Sequence, residues 1–332
     1  MTAPDAQPGP ASAADTLLAA EDVLGELIDW HRAGSRVALV TLVGIDGATP
    51  RPLGAQLAVA ADGRFTGYLS GGCIEAAIAL EARQAIAEGR NRLVRYGEGS
   101  AYLDLKLPCG SGLDLYFDQG LDGEILDGMA SLRAARAPFV LATDLGTGAS
   151  RIERVAPARA VASSRTGDVF YRTVLPPMRV LLVGGGPALA AIARLVAATG
   201  FPIDIVSPDD AARGEIAALG LEARRLVDAA ALDLTGVDAF TAAVVAFHEH
   251  DWEAPVLARI LERPCFYIGV MGSRTAHANR SARITALGVS AEQLARLKSP
   301  IGTIPGAKSR ATLAVGILAD IVAEAKAAGF VP

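Results

Sequence analysis

The sequence is poor in the features that mark secreted, membrane-spanning and nucleic-acid-binding proteins. It has only three cysteines in 332 residues and no CxxC pair, which favours free thiols in a reducing compartment, so we expect a cytoplasmic protein. No apolar run approaches the roughly 18 residues of a membrane helix. The formal net charge is −5, and the chain therefore lacks the excess basic charge with which proteins bind nucleic acids or anionic lipids.

Length and composition predict a folded chain of about two domains. Hydrophobic residues make up 51% and charged residues 20% of the chain, which is typical of globular proteins. Residues 1–14 have no basic residue and no apolar stretch, and this predicts a disordered tail rather than a signal peptide. Pro176 and Pro177 predict a boundary, because neither a helix nor an inner strand continues through two prolines.

The two predicted domains differ in their patterns. Residues 15–119 combine helices at 15–33 and after 73 with apolar strands and an Asp62-Gly63 hairpin signal, which predicts a mixed α/β domain. Residues 120–177 predict a connector with a helix and short β segments. Residues 178–332 alternate strand, glycine turn and helix, which is typical of a Rossmann-like, doubly wound parallel sheet. The predicted fold class is therefore α/β throughout.

A glycine-rich turn with a cysteine is the most distinctive feature of the first domain. Residues 70–75 read SGGCIE between a predicted strand and a predicted helix. Gly71 and Gly72 let a ligand approach the backbone, and a helix start offers unpaired N–H groups. Such a place lowers a thiol pKa and favours the thiolate that binds metals or carries sulfur. Cys73 is thus a candidate nucleophile and metal ligand, although a buried cysteine in a tight turn explains the motif equally well.

Other candidates in the first domain are weaker. Cys109 lies in a second glycine-rich turn, but its separation of 36 residues from Cys73 is no metal-binding signature. Arg51, in the turn at 47–54, is able to clamp a phosphate or carboxylate, while a solvated turn arginine is the alternative. Cys265 lies in an apolar run and is assigned to the core.

The second domain has three candidate loops at predicted strand ends. Gly184 and Gly186 resemble a dinucleotide fingerprint, but Leu189 stands at the third glycine position and Ser207 directly follows the second strand, with Asp209 two residues on. The loop at 248–251 offers ligand-type side chains for metal binding or acid–base work. Gly272, Ser273 and Arg274 form a candidate anion site at a helix start. The candidate cofactor-binding residues of these two loops are His248, Asp251, Gly272, Ser273 and Arg274, and His248 is also a candidate catalytic residue.

Taken together, these motifs resemble the XdhC/CoxI family. The likeness is carried by residues 47–55, 70–75 and 108–110 in the first block, and by residues 184–186, 248–257, 268–274 and 299–302 in the second. The resemblance implies a chaperone that binds the molybdenum cofactor, or molybdopterin, and delivers it to an apo molybdenum hydroxylase such as xanthine dehydrogenase or carbon monoxide dehydrogenase. It also implies a cysteine desulfurase partner during exchange of an oxo for a sulfido ligand, and a homodimer.

The resemblance also ranks the site residues. The Gly-Gly-Cys loop is the hallmark of the family, so Cys73 is the first choice for cofactor or sulfur handling, with Cys109 second and Glu75 beside them as a cofactor-binding residue. Pro187, Ser207 and residues 303–308 depart from the usual family pattern. An NAD(P)-dependent oxidoreductase, with His248 near its substrate, and a nucleotide-binding scaffold remain the alternatives.

Overall fold

The computed structural model describes residues 22–70, 72, 74–100, 110–156, 162–247, 250–272 and 274–331, with the backbone alone at 250 and 274–276. The chain divides into two compact units, Met1–Pro176 and Pro177–Pro332. The division falls between the two consecutive prolines. Among the described residues, no helix combines the length and apolarity needed to cross a membrane.

The first unit is built on a five-stranded antiparallel sheet in the order β3-β2-β1-β5-β4. Its strands are β1 (Val37–Asp46), β2 (Gln56–Ala60), β3 (Phe65–Gly67), β4 (Arg92–Gly97) and β5 (Gly112–Asp118), and its helices are α1 (Leu24–Arg32) and α2 (Glu75–Glu88). Alternate residues of β1 enter two different apolar clusters, Val40 the cluster with α2 and Leu39 the cluster with α1. Burial on both faces explains why the first seven residues of β1 are apolar with the exception of Thr41.

Residues 120–176 belong to the first unit and contain a sheet of their own. The elements are α3 (Gly123–Ala134), β6 (Phe139–Asp144), β7 (Ser150–Arg154), β8 (Ser164–Thr166) and β9 (Val169–Val174), with the antiparallel order β7-β6-β9-β8. Phe139, Leu141 and Val174 pack in the same apolar cluster as α1. The segment predicted as a connector is therefore part of the first unit's core.

The second unit contains a six-stranded parallel sheet in the order β12-β11-β10-β13-β14-β15. Its strands are β10 (Arg179–Gly184), β11 (Ile203–Ser207), β12 (Ala223–Arg225), β13 (Thr241–Ala246), β14 (Tyr267–Val270) and β15 (Leu297–Lys298). Counted along this unit, the order is 3-2-1-4-5-6, the order of a Rossmann fold. The predicted doubly wound sheet is thereby confirmed.

Helices cover both faces of the parallel sheet. They are α4 (Pro187–Ala198), α5 (Asp210–Ala217), α6 (His250–Leu261), α7 (Arg274–Ala286), α8 (Ala291–Ala295) and α9 (Arg310–Ala327). Val180 and Leu182 of β10 pack in one apolar cluster, and Leu181 and Val183 pack in the other. This two-sided burial explains the continuous apolar run at 180–183.

Candidate functional site

The carboxylate of Glu75 closes the glycine-rich loop of the first unit. It accepts hydrogen bonds from the backbone N–H of Leu69 at 2.9 Å, of Ser70 at 2.8 Å and of Ile74 at 3.2 Å. The Ser70 hydroxyl lies within 2.9 Å of both carboxylate oxygens. One side chain therefore joins the two ends of the loop, with Gly72 between them at a φ of 102°, a backbone conformation that favours glycine.

Glu75 is charged at neutral pH although it is only 7% exposed. Burial raises the pKa of this carboxyl, but the hydrogen bonds from Ser70 and Leu69 outweigh that effect, and the pKa is lowered overall. Negative charge next to the start of α2 is also favourable because of the helix dipole. Through these contacts Glu75 holds the two ends of the loop together. A contact of this carboxylate with the cofactor stays a prediction.

Five predicted site residues lie outside the described residues: Gly71, Cys73, Cys109, His248 and Ser273. Their roles stay predictions. In the described part of the chain, no group of three or more His, Cys, Asp or Glu side chains is arranged to hold a metal ion. A metal-binding role of Cys73 therefore stays a prediction.

Arg51 packs against the strand end that leads into the loop. Its Nη1 donates to the Tyr68 hydroxyl at 3.0 Å, and its guanidinium lies 4.2 Å from the centre of the Tyr68 ring. Tyr68 comes two residues before Ser70. The structure thus places Arg51 beside the glycine-rich loop. Sequence reasoning missed Tyr68, for which the only available signal was an aromatic hydroxyl next to that loop.

A second buried carboxyl of the first unit lies at the end of β5. Asp118 is 5% exposed and accepts hydrogen bonds from Asn91 Nδ2 at 3.0 Å and from the Gly120 N–H at 2.9 Å. Burial raises its pKa to about 6, although these two bonds act in the opposite direction. Asp118 lines a small internal cavity with Thr41, Tyr116 and Arg172.

In the second unit, the predicted loops meet at the carboxyl edge of the parallel sheet. The Gly185 N–H donates to the Ala246 carbonyl at 3.0 Å, which joins the end of β10 to the end of β13. A Cβ on Gly184 would lie 2.1 Å from the same Ala246 oxygen. Strand pairing alone therefore requires glycine at 184, and this position needs no ligand to explain it.

Asp209 occupies the backbone donor that the fingerprint would offer to a phosphate. Its carboxylate accepts from the Gly186 N–H at 2.9 Å and caps α5 by accepting from Ala211 and Ala212 at 2.9 and 3.2 Å. The Gly186 bond is the main reason why the pKa of Asp209 is lowered. In a dinucleotide site an acidic residue after the second strand binds the ribose, whereas the carboxylate of Asp209 is bound to the protein's own loop. Ser207 is buried, and its hydroxyl accepts from the Asp209 N–H at 3.1 Å.

The remaining loops of this edge are held by a buried ion pair. Arg280 of α7 pairs with Glu253 of α6, and it donates from Nη2 to the Met271 carbonyl at 2.7 Å. Gly272 follows at a φ of 140° and is exposed, and the backbone of Arg274 begins α7. Asp251 is exposed and lies 3.4 Å from Arg283.

The described part of the second unit also has an apolar groove of about 610 Å³ between α4, α5 and α9. Alanine and larger aliphatic side chains line it, together with Arg194, Glu215 and Arg310. It contains none of the predicted site residues and lies between helices rather than at strand ends. We therefore do not place the functional site there.

Two family models and the relatives described next agree on one family for this chain. Residues 30–97 match the description "XdhC and CoxI family", and residues 180–321 match "XdhC Rossmann domain". The molybdenum cofactor insertion chaperone PaoD of Escherichia coli K12 is 33% identical over 299 residues, which cover 90% of this chain and 86% of that relative. A probable xanthine dehydrogenase subunit of Bacillus subtilis 168 is 24% identical, over 86% of this chain and 92% of its own.

A solved structure shares the fold. It is described as a xanthine dehydrogenase from Bacillus halodurans, and it matches with a TM-score of 0.67 and 17% identity. The match covers 92% of this chain and 96% of the other. At this identity, the likeness supports the fold alone.

Proposed function

This chain belongs to the XdhC and CoxI family, and on that premise we propose that it binds the molybdenum cofactor and inserts it into an apo-enzyme of the xanthine dehydrogenase type. The observation that carries the proposal is the identity with the insertion chaperone PaoD along most of both chains. The cofactor is cargo here, and the protein's task is to hold it, shield it and release it. Homodimerisation and a cytoplasmic location belong to the same proposal.

The first unit is where we place the cargo. Glu75 accepts hydrogen bonds from both ends of the 70–75 loop, so these two ends are fixed relative to each other before any ligand arrives. Such preorganisation lowers the entropy cost of binding. Arg51 supplies positive charge beside the loop, and Cys73 supplies the thiol for the metal and sulfur end, with Cys109 second.

A finer part of the proposal concerns sulfur. A cysteine desulfurase would deliver persulfide sulfur to replace a terminal oxo ligand while the cofactor is bound to this chain. The oxo oxygen would leave as water, and two equivalents of a small thiol would supply the two electrons that reduce the sulfur and become a disulfide. Carbon monoxide dehydrogenase stands beside xanthine dehydrogenase as a second client class. The thiolate of Cys73, favoured near the start of a helix, is the group we assign to this step.

The oxidoreductase alternative requires the second unit to bind a dinucleotide. Asp209 already accepts the Gly186 N–H, and a carboxylate at that place repels the pyrophosphate of NAD(P). In our proposal the second unit, including His248, Asp251 and Gly272, therefore supports the chaperone without nucleotide chemistry.

The first experiment is purification of the full chain from a molybdopterin-producing host, followed by molybdenum and pterin analysis and by calorimetric titration with NADH. We expect pterin to accompany the chain and NADH to show no saturable binding in the micromolar range. Tight NADH binding by a chain that carries no pterin would favour the oxidoreductase instead.

Cys73→Ala tests the thiol, with Cys265→Ala as its matched control. Cys265 is 6% exposed in an apolar cluster, and burial raises its pKa to about 11, so it has no thiolate at neutral pH. We expect Cys73→Ala to retain at least about tenfold less cofactor than Cys265→Ala, since a metal–thiolate bond is lost. Equal pterin content in both variants would remove Cys73 from the site.

A further inference from the structure

Arg172 of β9 is a half-buried cation with a buried, unused donor. Its Nη1 donates to the Thr173 carbonyl, while its Nε is buried and has no hydrogen-bond partner. Within the described residues, no carboxylate lies within ion-pair distance of this guanidinium. A buried donor on a charged group is costly to leave unsatisfied. The position therefore calls for an acceptor that the described residues do not provide.

The turn that carries Arg51 runs directly against Arg172. Gly54 lies three residues after Arg51 at a φ of 86°. A Cβ on Gly54 would lie 2.9 Å from Arg172 Cδ and 2.5 Å from Ser163 Oγ. Only glycine fits between the turn and the side chains behind it. The close approach brings the turn between β1 and β2, which carries Arg51, against Arg172 on β9 of the other antiparallel sheet.

The charges of the two arginines act on each other. Burial, together with the positive charge of Arg51, lowers the pKa of Arg172 to about 10, while Asp22 acts in the opposite direction. The Asp22 carboxylate is itself bound by Arg133. Arg172 therefore remains charged at neutral pH, and no carboxylate of the described residues pairs with it.

We propose that Arg51 and Arg172 together bind the phosphate of the pterin cofactor, as an anion subsite beside the 70–75 loop. Two guanidiniums suit a phosphate dianion, which accepts several N–H donors at once. The subsite rests on the proposed function for the identity of its ligand, and it adds Arg172, from the segment that the sequence predicted as a connector. Arg51 links it to the loop through Tyr68.

The test uses full-length variants and two measurements. Arg172→Gln removes the charge, Arg172→Lys keeps a charge without the planar fork, and Arg165→Gln is the matched control. Arg165 lies on the neighbouring strand β8, is exposed, and bonds to the Gly167 carbonyl and Asp168. One measurement is pterin content after purification from a molybdopterin-producing host. The other is calorimetric titration of cofactor-free chain with inorganic phosphate.

We expect Arg172→Gln to lower both phosphate affinity and pterin content by about tenfold or more, because charge-assisted hydrogen bonds are lost. Arg172→Lys should fall between it and the wild type, and Arg165→Gln should match the wild type. Arg172→Gln should melt at the same or a higher temperature, because an uncompensated buried charge disappears. A purely structural arginine would instead lower the melting temperature and leave phosphate binding unchanged.

The outcomes separate this inference from the proposed function. If Arg172→Gln and Arg172→Lys both keep the pterin content of the wild type, the subsite is overturned. The proposed chaperone function is then unaffected. Phosphate binding that depends on Arg172, in a chain that never carries pterin, supports the subsite and contradicts the function. A wild-type chain that binds no phosphate overturns the subsite. If Arg172→Gln does not fold, Arg172→Lys carries the same comparison.

Discussion

The two units bury charge in different ways. In the second unit, buried Glu253 is paired with Arg280, and buried Asp320 accepts from Lys298 and from the Tyr267 hydroxyl. In the first unit, Glu75 and Asp118 are bound by backbone, hydroxyl and amide groups, and Arg172 lies near the like charge of Arg51. Among the described residues, the buried carboxylates of the second unit thus have cationic partners, whereas those of the first unit have neutral donors.

The two units also differ in what a carboxylate near a glycine-rich turn binds, and this makes the dinucleotide fingerprint a poor guide to the site. The Rossmann order is complete in the second unit, yet Asp209 already occupies the Gly186 donor. In the first unit the carboxylate of Glu75 comes from the loop's own helix and fixes the loop ends instead. A carboxylate near a glycine-rich turn therefore occupies the N–H that a phosphate would need in the second unit, whereas in the first unit it holds the two ends of the loop together.

The largest expected effect on stability comes from breaking the buried ion pair of Glu253 and Arg280. Glu253→Gln should lower the free energy of unfolding by about 3–5 kcal/mol, because it leaves Arg280 buried without a counterion; the two side chains are 5% and 2% exposed. Chemical denaturation followed by circular dichroism measures it. Arg283→Gln, which breaks the exposed pair with Asp251 on the same two helices, should change stability by less than about 0.5 kcal/mol. Equal effects of the two variants would contradict the comparison.

Glu75→Gln should have the next largest effect. One carboxylate oxygen becomes an amide, and the loss of charge-assisted bonds should lower the free energy of unfolding by about 2 kcal/mol at pH 7. The folded pKa is below the ordinary value of 4.5, so this contribution is present above pH 4.5 and is lost as the pH falls through the folded pKa. Denaturation of both proteins from pH 7 to pH 3 should therefore show the stability gap closing. A gap independent of pH would mean that the charge of Glu75 plays no part.

Asp118→Asn should have the smallest effect and the opposite sign. Its pKa in the fold is about 6 against an ordinary 3.8, so burial of the charged form costs stability above pH 6 and costs nothing below about pH 4. The asparagine Oδ1 still accepts from Asn91 and Gly120, so we expect stabilisation of about 1–2 kcal/mol at pH 8. The gain should vanish by pH 4 in the same denaturation assay. Destabilisation at pH 8 would show that the ionised carboxylate has a partner.

Much of the fold could be predicted from the sequence. Apolar runs such as 180–183 and glycine turns predicted the strands and helices of the second unit, because burial on both faces makes strands continuously apolar. The sheet β7-β6-β9-β8 could not be recognised as part of the first unit's core, because β8 is fully exposed and β7 has no buried residue. Its strands therefore lack the alternation of apolar and polar residues that identifies a half-buried sheet.

The site was predictable only in part. The loop at 70–75 and Arg51 are recognisable from local motifs, but the bond from Gly186 to Asp209 joins residues 23 positions apart. The approach of Gly54 to Arg172 depends on the packing of two sheets. Propensity and periodicity fix neither strand register nor sheet packing, so contacts of this kind become visible only in the folded chain.

Hydrogen–deuterium exchange on the full chain, cofactor-loaded against cofactor-free, tests most directly whether the first unit holds the cargo. If the first unit holds the cargo, we predict slower exchange in the cofactor-loaded chain at residues 51–56, 68–75 and 163–173, with no change at 184–186. Slower exchange confined to 184–186 and 209–212 would contradict it, because the ligand would then lie at the Rossmann edge of the second unit.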